Sequence, residues 1–362
     1  MCKIPPRRIL YTQLQSILFL MEPEIEEIDQ KTIKFIIQLS VFFQTLLIAF
    51  SIPGIVLLIP HLFITTRKSM RTSSTNSLII GIGICDLLVL ITSCAPTSWT
   101  TRDPCSNQLT YFYVIKSFLV KIVADSCTRS SYYIGLSLAV IRLLVIRFPM
   151  SARTETLSKP SIGYLVIVLM MFVNFLPTAN YFLRFDIVRG EDWSPLDTCP
   201  NFPSNYSEET YSSNQPSDFQ YHLYQVISGC LQCFVSLAHP IVACLLYLVI
   251  RKFEKRSDQL SPQANTEKMR ASRLVLLMTI SYVVSSVPMG LNYYFSIIYW
   301  SSLILNLVFS YGGIIVFIIF TINASMHCFI CLIMSSEYQK TVRRLLRIRE
   351  KAQVIVVQSV TL

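Results

Sequence analysis

Charge is what this chain has least of. Only 14% of its 362 residues are Asp, Glu, Lys or Arg, against roughly 25% in soluble domains. With 52% hydrophobic residues, a soluble enzyme built around one large core is excluded. Histidine is scarce as well. The four, His61, His222, His239 and His327, form no HExxH, and no GxSxG elbow occurs, so zinc-hydrolase and serine-hydrolase chemistry have no basis and no metal centre is expected. No internal repeat splits the chain into halves as in many transporters. Basic residues outnumber acidic ones, 31 to 21, giving a net charge of +10. They flank apolar runs and form no groove-reading motif, which argues against nucleic acid as a partner and for basic loops beside a bilayer.

What is present in abundance is long apolar sequence. Seven runs reach the length needed to cross a membrane: about 35–64, 76–98, 112–147, 161–183, 221–250, 271–296 and 302–334. The third exceeds one bilayer thickness, so its outer end should project. Pro53, Pro60, Pro177, Pro240 and Pro288 lie in or near the runs, where kinks are expected and neighbouring helices re-satisfy the freed backbone groups. The fold class is an all-α membrane protein: a seven-transmembrane helix bundle with a short amphipathic eighth helix. That last helix is read from Glu337 to Arg349, with Tyr338, Val342, Leu345 and Leu346 near one face and arginines on the other. The chain divides into an outer tail at 1–34, a seven-span domain at 35–334, and an inner helix and tail at 335–362. The Val354–Val357 segment has no assignment. Lys3, Arg7 and Arg8 precede a weakly apolar stretch that Gln13, Gln15 and Ser16 interrupt; it reads as a tail, not a cleaved leader.

The loops set an expected orientation. Arg67, Lys68, Arg71, Arg147, Arg153, Lys159, the 251–273 cluster and the arginines after 340 fall on one side. Acidic residues between 22 and 29 and between 186 and 218 fall on the other. The basic side is read as cytoplasmic, which puts the N-terminus outside and the C-terminus inside a cell membrane. Asn205-Tyr206-Ser207 is then a glycosylation sequon on the outer loop; Asn323-Ala324-Ser325 also fits the pattern but lies within a span. Cys105 and Cys199 both face the oxidising side, and a disulfide between them is expected. Cys85, Cys94, Cys127, Cys230, Cys233 and Cys244 read as small buried hydrophobes. A lone CxxC at 230–233 is weak ground for a redox or metal site. Cys331 reads as a core cysteine, with palmitoylation as the alternative.

Charges inside apolar spans are functional candidates by default. Arg142 ends the run Ile134–Ile141 and is followed by Ile146 and Pro149. It is either a snorkelling interfacial arginine or a switch whose donors meet a partner. Lys121, Asp125 and Arg129 recur at steps of four on span three and share a face. They form either a charged ligand-pocket floor or a self-neutralising ladder. Tyr132, Tyr133, Tyr293, Tyr294, Trp300 and Tyr311 are candidates for aromatic walls, with packing or interfacial anchoring as the plainer reading.

The inner-face motifs resemble those of rhodopsin-like G-protein-coupled receptors. Such receptors end span three with Asp-Arg-Tyr; here the sequence is Ile141-Arg142-Leu143, with Ile146 and Pro149 at the matching spacing. Asn76 and Asp86 match span two, Pro240 and Pro288 match spans five and six, and Asn323-Ala324-Ser325-Met326-His327 stands where Asn-Pro-x-x-Tyr is expected. Ile141-Arg142 with no acid, Arg147 before Phe148-Pro149, Arg67–Ser74, and Asn323–Cys328 followed by Met334–Arg343 narrow the match. With them the sequence resembles the nematode serpentine receptor class W, a family similar to receptors for FMRFamide-type neuropeptides. The losses at Ile141, Leu143, Ala324, Ser286 (where many relatives carry tryptophan) and Leu58 keep open a receptor-like protein that does not signal. The resemblance runs from span one to about Arg349. It implies a G-protein-coupled receptor that senses an extracellular peptide, a neuropeptide or chemosensory cue, and activates a heterotrimeric G protein. It implies coupling or switch roles for Arg142, Ile146, Pro149, Asn323 and His327. It also implies that Asp86, Ser131 and Asn323 form a polar core, read either as a hydrated sodium site or as an ion-free cluster; no other cofactor is expected. A transporter or channel, and a receptor-like protein that no longer signals, remain the alternatives. Flux without a G protein would mark the first, and folding without nucleotide exchange the second.

Overall fold

A computed structural model describes residues 30–68, 70–95, 110–148, 151–195, 199, 202–203, 206–214, 217–257, 262–299 and 303–345. The long helices are α1 (Gln30–Thr65), α2 (Ser74–Ser93), α3 (Tyr111–Arg147), α5 (Pro160–Phe182), α6 (Asp218–Ser257), α7 (Pro262–Ile298) and α8 (Leu303–Met334). Each contains a stretch long and apolar enough to cross a membrane, giving the seven expected spans. A short α4 (Ala152–Ser158) joins α3 to α5, and α9 (Ser336–Leu345) follows α8.

Local chemistry starts and stops these helices. The Ser73 hydroxyl accepts from the Asn76 amide at the head of α2, and Thr110 accepts from Tyr113 N at the head of α3. Pro160 sits in the first turn of α5, where no N–H is missed. Within the spans, hydroxyls return their protons to their own helix: Ser51 donates to the Leu47 carbonyl at 2.8 Å, and Thr279 to Val275 at 2.7 Å. With no water in the hydrocarbon layer, an unbonded hydroxyl there would be costly. Near Pro288, span-five side chains bond carbonyls of α7: Ser236 Oγ donates to Ser286 O at 2.5 Å and Cys233 Sγ to Gly290 O at 3.5 Å.

The helices form a closed arrangement with α3 inside it. Helix α3 packs against α2, α5, α6 and α7, while α1 packs on α2 and α8, and α7 lies between α6 and α8. Small residues allow the close approaches. A Cβ at Gly163 of α5 would lie 2.8 Å from the Ser74 carbonyl of α2, and one at Gly135 of α3 would lie 2.5 Å from the Tyr282 ring of α7.

Two features differ from the sequence expectation. The acidic loop carries an antiparallel hairpin, β1 (Asp186–Arg189) with β2 (Tyr211–Asn214), extended by a bridge between Trp193 and Glu208. Arg189 bonds Asp192 and Glu209 at 3.1 Å each, and those acids raise its guanidinium above the ordinary value. The Tyr111–Tyr211 ring contact, 5.4 Å between centroids, fixes the hairpin to the top of α3. Helix α9 is present but not clearly amphipathic. It turns Tyr338 and Thr341 inward, whereas Leu345 is exposed; Leu346 and the residues after it lie outside the described residues.

Candidate functional site

Three polar sites lie along α3, one near the hairpin, one at mid-bundle and one at the opposite end. At the first, the ladder resolves into a pair plus a bystander. Arg129 Nη1 donates to Asp125 Oδ2 at 2.7 Å, with the arginine side chain 1% exposed and the carboxylate 20%. Arg129 Nη2 donates to the Asn174 carbonyl at 3.0 Å and to the Thr178 hydroxyl. Asp125 also accepts from Thr178 Oγ1 at 2.7 Å, from Tyr224 OH at 2.6 Å and, more distantly, from Tyr293 OH at 3.4 Å. Four helices, α3, α5, α6 and α7, therefore meet on one ion pair. Tyr181 stacks on Tyr224 with centroids 4.3 Å apart. Lys121 is exposed and joins none of these contacts. Of the aromatic candidates, Tyr293 reaches Asp125 and Tyr132 is fully buried; Trp300 lies outside the described residues.

At mid-bundle, Ser131 Oγ donates to Asp86 Oδ1 at 2.6 Å, and His327 Nδ1 lies 3.0 Å from Asp86 Oδ2. All three are buried. Tyr282 OH is 3.3 Å from Ser131 Oγ. Because the serine proton is committed to the carboxylate, the phenol donates in that contact. The Tyr282 ring stacks on His239 at 5.3 Å and tilts over His327 at 5.0 Å. The third expected member, Asn323, is buried with neither amide atom bonded among the described residues. His61 Nδ1 lies 3.2 Å from the Tyr338 hydroxyl, which ties α1 to α9. Burial, with Cys328 beside it, raises the Tyr338 phenol well above its ordinary value.

A sodium ion takes oxygen ligands, and at this donor set it would compete with hydrogen bonds already made. Both carboxylate oxygens of Asp86 already accept a donor, and the Ser131 oxygen accepts the Tyr282 proton. A ring N–H occupies the approach to Oδ2. Among the described residues no group of three His, Cys, Asp or Glu side chains is placed to hold a metal.

At the far end of α3, Arg142 is half-buried, and its Nε is buried without a hydrogen-bond partner. Among the described residues it makes no ion pair. Ile141, where related receptors carry an acid, is buried against the core. Ile146 also packs against the core, one turn further on. Pro149, Cys105 and Asn205 lie outside the described residues. Cys199 is disulfide-bonded. Cys331 is buried with 2% exposure.

Several residues of these sites carried too faint a signal in the sequence. Asn174 and Thr178 stand out only as polar residues inside an apolar span. Tyr224 and Tyr282 look like ordinary packing aromatics until their hydroxyls are placed.

Comparison with known proteins agrees with the geometry. Residues 42–349 match the family described as serpentine type 7TM GPCR chemoreceptor Srw. The FMRFamide receptor of Drosophila melanogaster is 23% identical over 279 residues, covering 74% of this chain but 49% of that protein, so the chain spans about half the length of this relative. The protein belongs to the serpentine 7TM GPCR chemoreceptor Srw family and is a multi-pass membrane receptor, not an enzyme.

Proposed function

We propose that the protein senses a peptide at its hairpin end, outside the cell, and activates a heterotrimeric G protein at its Arg142 end, in the cytoplasm. The observation that carries the inner half of this reading is Arg142, a half-buried guanidinium at the end of α3 with no acid paired to it among the described residues. Its unspent donors suit a partner segment that inserts into the bundle from that side. The loop charges support the orientation. The similarity to an FMRFamide receptor supports a peptide ligand.

In this reading the peptide enters above the Asp125–Arg129 pair, with Lys121 and the acidic hairpin loop at the mouth. A disulfide from Cys199 to Cys105 and glycosylation at Asn205 belong to the same outer surface. A peptide library screened against a promiscuous G-protein reporter tests the ligand class. Arg142→Ala tests coupling: ligand-stimulated nucleotide exchange is lost while surface expression and ligand binding persist. Intact exchange in that variant sinks the coupling assignment. Solute flux without a G protein would favour a transporter instead.

A further inference from the structure

We propose that the imidazole of His327 is the built-in occupant of the cation position against Asp86. The bundle is then indifferent to sodium, and an N–H···O bond supplied by the chain itself sets the contact between spans two and seven. The inference goes beyond the receptor reading and does not depend on which ligand or G protein is involved.

The argument starts from hydrogen-bond supply. A carboxylate buried with 0% exposure must be compensated by donors or by a cation. Here the donors form a chain drawn from four helices: Tyr282 of α7 donates to Ser131 of α3, Ser131 donates to Asp86 of α2, and His327 of α8 donates to the other carboxylate oxygen. A cation at Oδ2 would face the proton of His327 Nδ1 at contact distance, and moving the ring away would give up the 3.0 Å bond. The ring is not free to rotate cheaply. Tyr282 covers it at 5.0 Å, and the His239 ring stacked on Tyr282 backs that cover. Tyr282 is in turn wedged against Gly135, where a Cβ would stand 2.5 Å from the phenol ring.

Two residues of α8, Asn323 and His327, keep orphaned polar atoms on one face. His327 Nε2 and both amide atoms of Asn323 are buried and unbonded among the described residues, and positions four apart share a helix face. With Nδ1 donating to Asp86, Nε2 and the Asn323 amide are left as polar atoms that suit a water. The nearby titratable groups are Asp86 and Cys85 of α2, Cys127 and Tyr132 of α3, Tyr282 of α7, His239 of α6, His61 of α1 and Cys328 of α8; among these Asp86 is the only carboxylate.

The test is a thermal melt of the full-length receptor purified in nanodiscs, in sodium chloride and in choline chloride of equal ionic strength. The quantity read is the sodium-minus-choline shift in Tm, less the same shift for Asp86→Asn. For the wild type the expected value is zero within error. His327→Tyr restores the residue expected at this position in rhodopsin-like receptors, and His327→Ala simply removes the ring. Each leaves Asp86 open, and at least one should gain a sodium-dependent rise of roughly 2–4 °C. A positive value in the wild type overturns the proposal, as does the lack of any gain in both folded variants. If neither variant folds, the wild-type measurement decides alone. No ligand or G protein enters the assay, so its failure is distinct from a failure of the receptor reading.

Discussion

Arg129 and Arg142 lie on one helix, thirteen residues or about 20 Å apart, and they are treated in opposite ways. Arg129 is nearly sealed, with an acid, a carbonyl and a hydroxyl around its terminal nitrogens, although its Nε, like that of Arg142, is buried without a partner among the described residues. Arg142 is half-buried and keeps no partner among the described residues. A buried charge persists when the fold supplies its counter-charge and bonds, and such a pair is costly to break. A charge left without them marks a place where something else completes the structure. The same residue type thus reads as architecture at one end and as an open contact at the other.

The largest expected effect is on the paired arginine. Arg129→Ala strands Asp125 among three hydroxyls and should cost about 3–5 kcal/mol, read as lost surface expression or a collapsed Tm. Asp125→Ala should match it. If either variant expresses normally and loses only ligand affinity, the pair belongs to the pocket and not to the scaffold. A smaller effect follows from giving Arg142 the neighbour it lacks. Ile141→Asp should lower ligand-independent nucleotide exchange by roughly five-fold, a bias near the bottom of the usual allosteric range. No change, or a rise, would mean that the missing acid does not set resting activity. The smallest concerns the polar contact behind the inner end. Tyr338→Phe removes the hydroxyl bonded to His61 and should cost roughly 0.5–1 kcal/mol, seen as a Tm lowered by a few degrees.

The spans were legible because hydropathy acts over twenty residues at a time. Their ends were less so. Helix α6 runs on to Ser257 and α7 begins at Pro262, whereas the apolar runs stop near 250 and begin near 271. The charged stretch Arg251–Arg256 continues as helix outside any apolar layer, which a hydropathy window cannot register. The hairpin was missed for a related reason. Its strands are four residues long, and only Ile187, Val188 and Tyr211 carry a β signal; register comes from the opposing strand.

Candidate residues were legible as types, but not as partners. The four-residue spacing brought Asp125 and Arg129 together, yet Thr178 and Tyr224 reach them from other helices whose rotation no pattern within one span reveals. His327 showed itself as a substitution for tyrosine. Its bond to Asp86, 241 residues away, required the packing of α2 against α8. Helix α9 shows the converse: arginines on one side suggested a lipid-lying face, but burial rests on Tyr338 and Thr341 more than on aliphatic side chains.

Helix α3 has no proline in its 37 residues, unlike α1, α5, α6 and α7, each of which carries at least one. At about 1.5 Å per residue it is a spar of some 55 Å. It bears the hairpin at Tyr111, the ion pair at Asp125, the serine of the polar core at Ser131 and, at its foot, Arg142. A spar without a hinge cannot absorb a push locally. If its head is tilted while Gly135 bears on Tyr282 as a fulcrum, its foot must swing the other way, and Arg142 is carried with it.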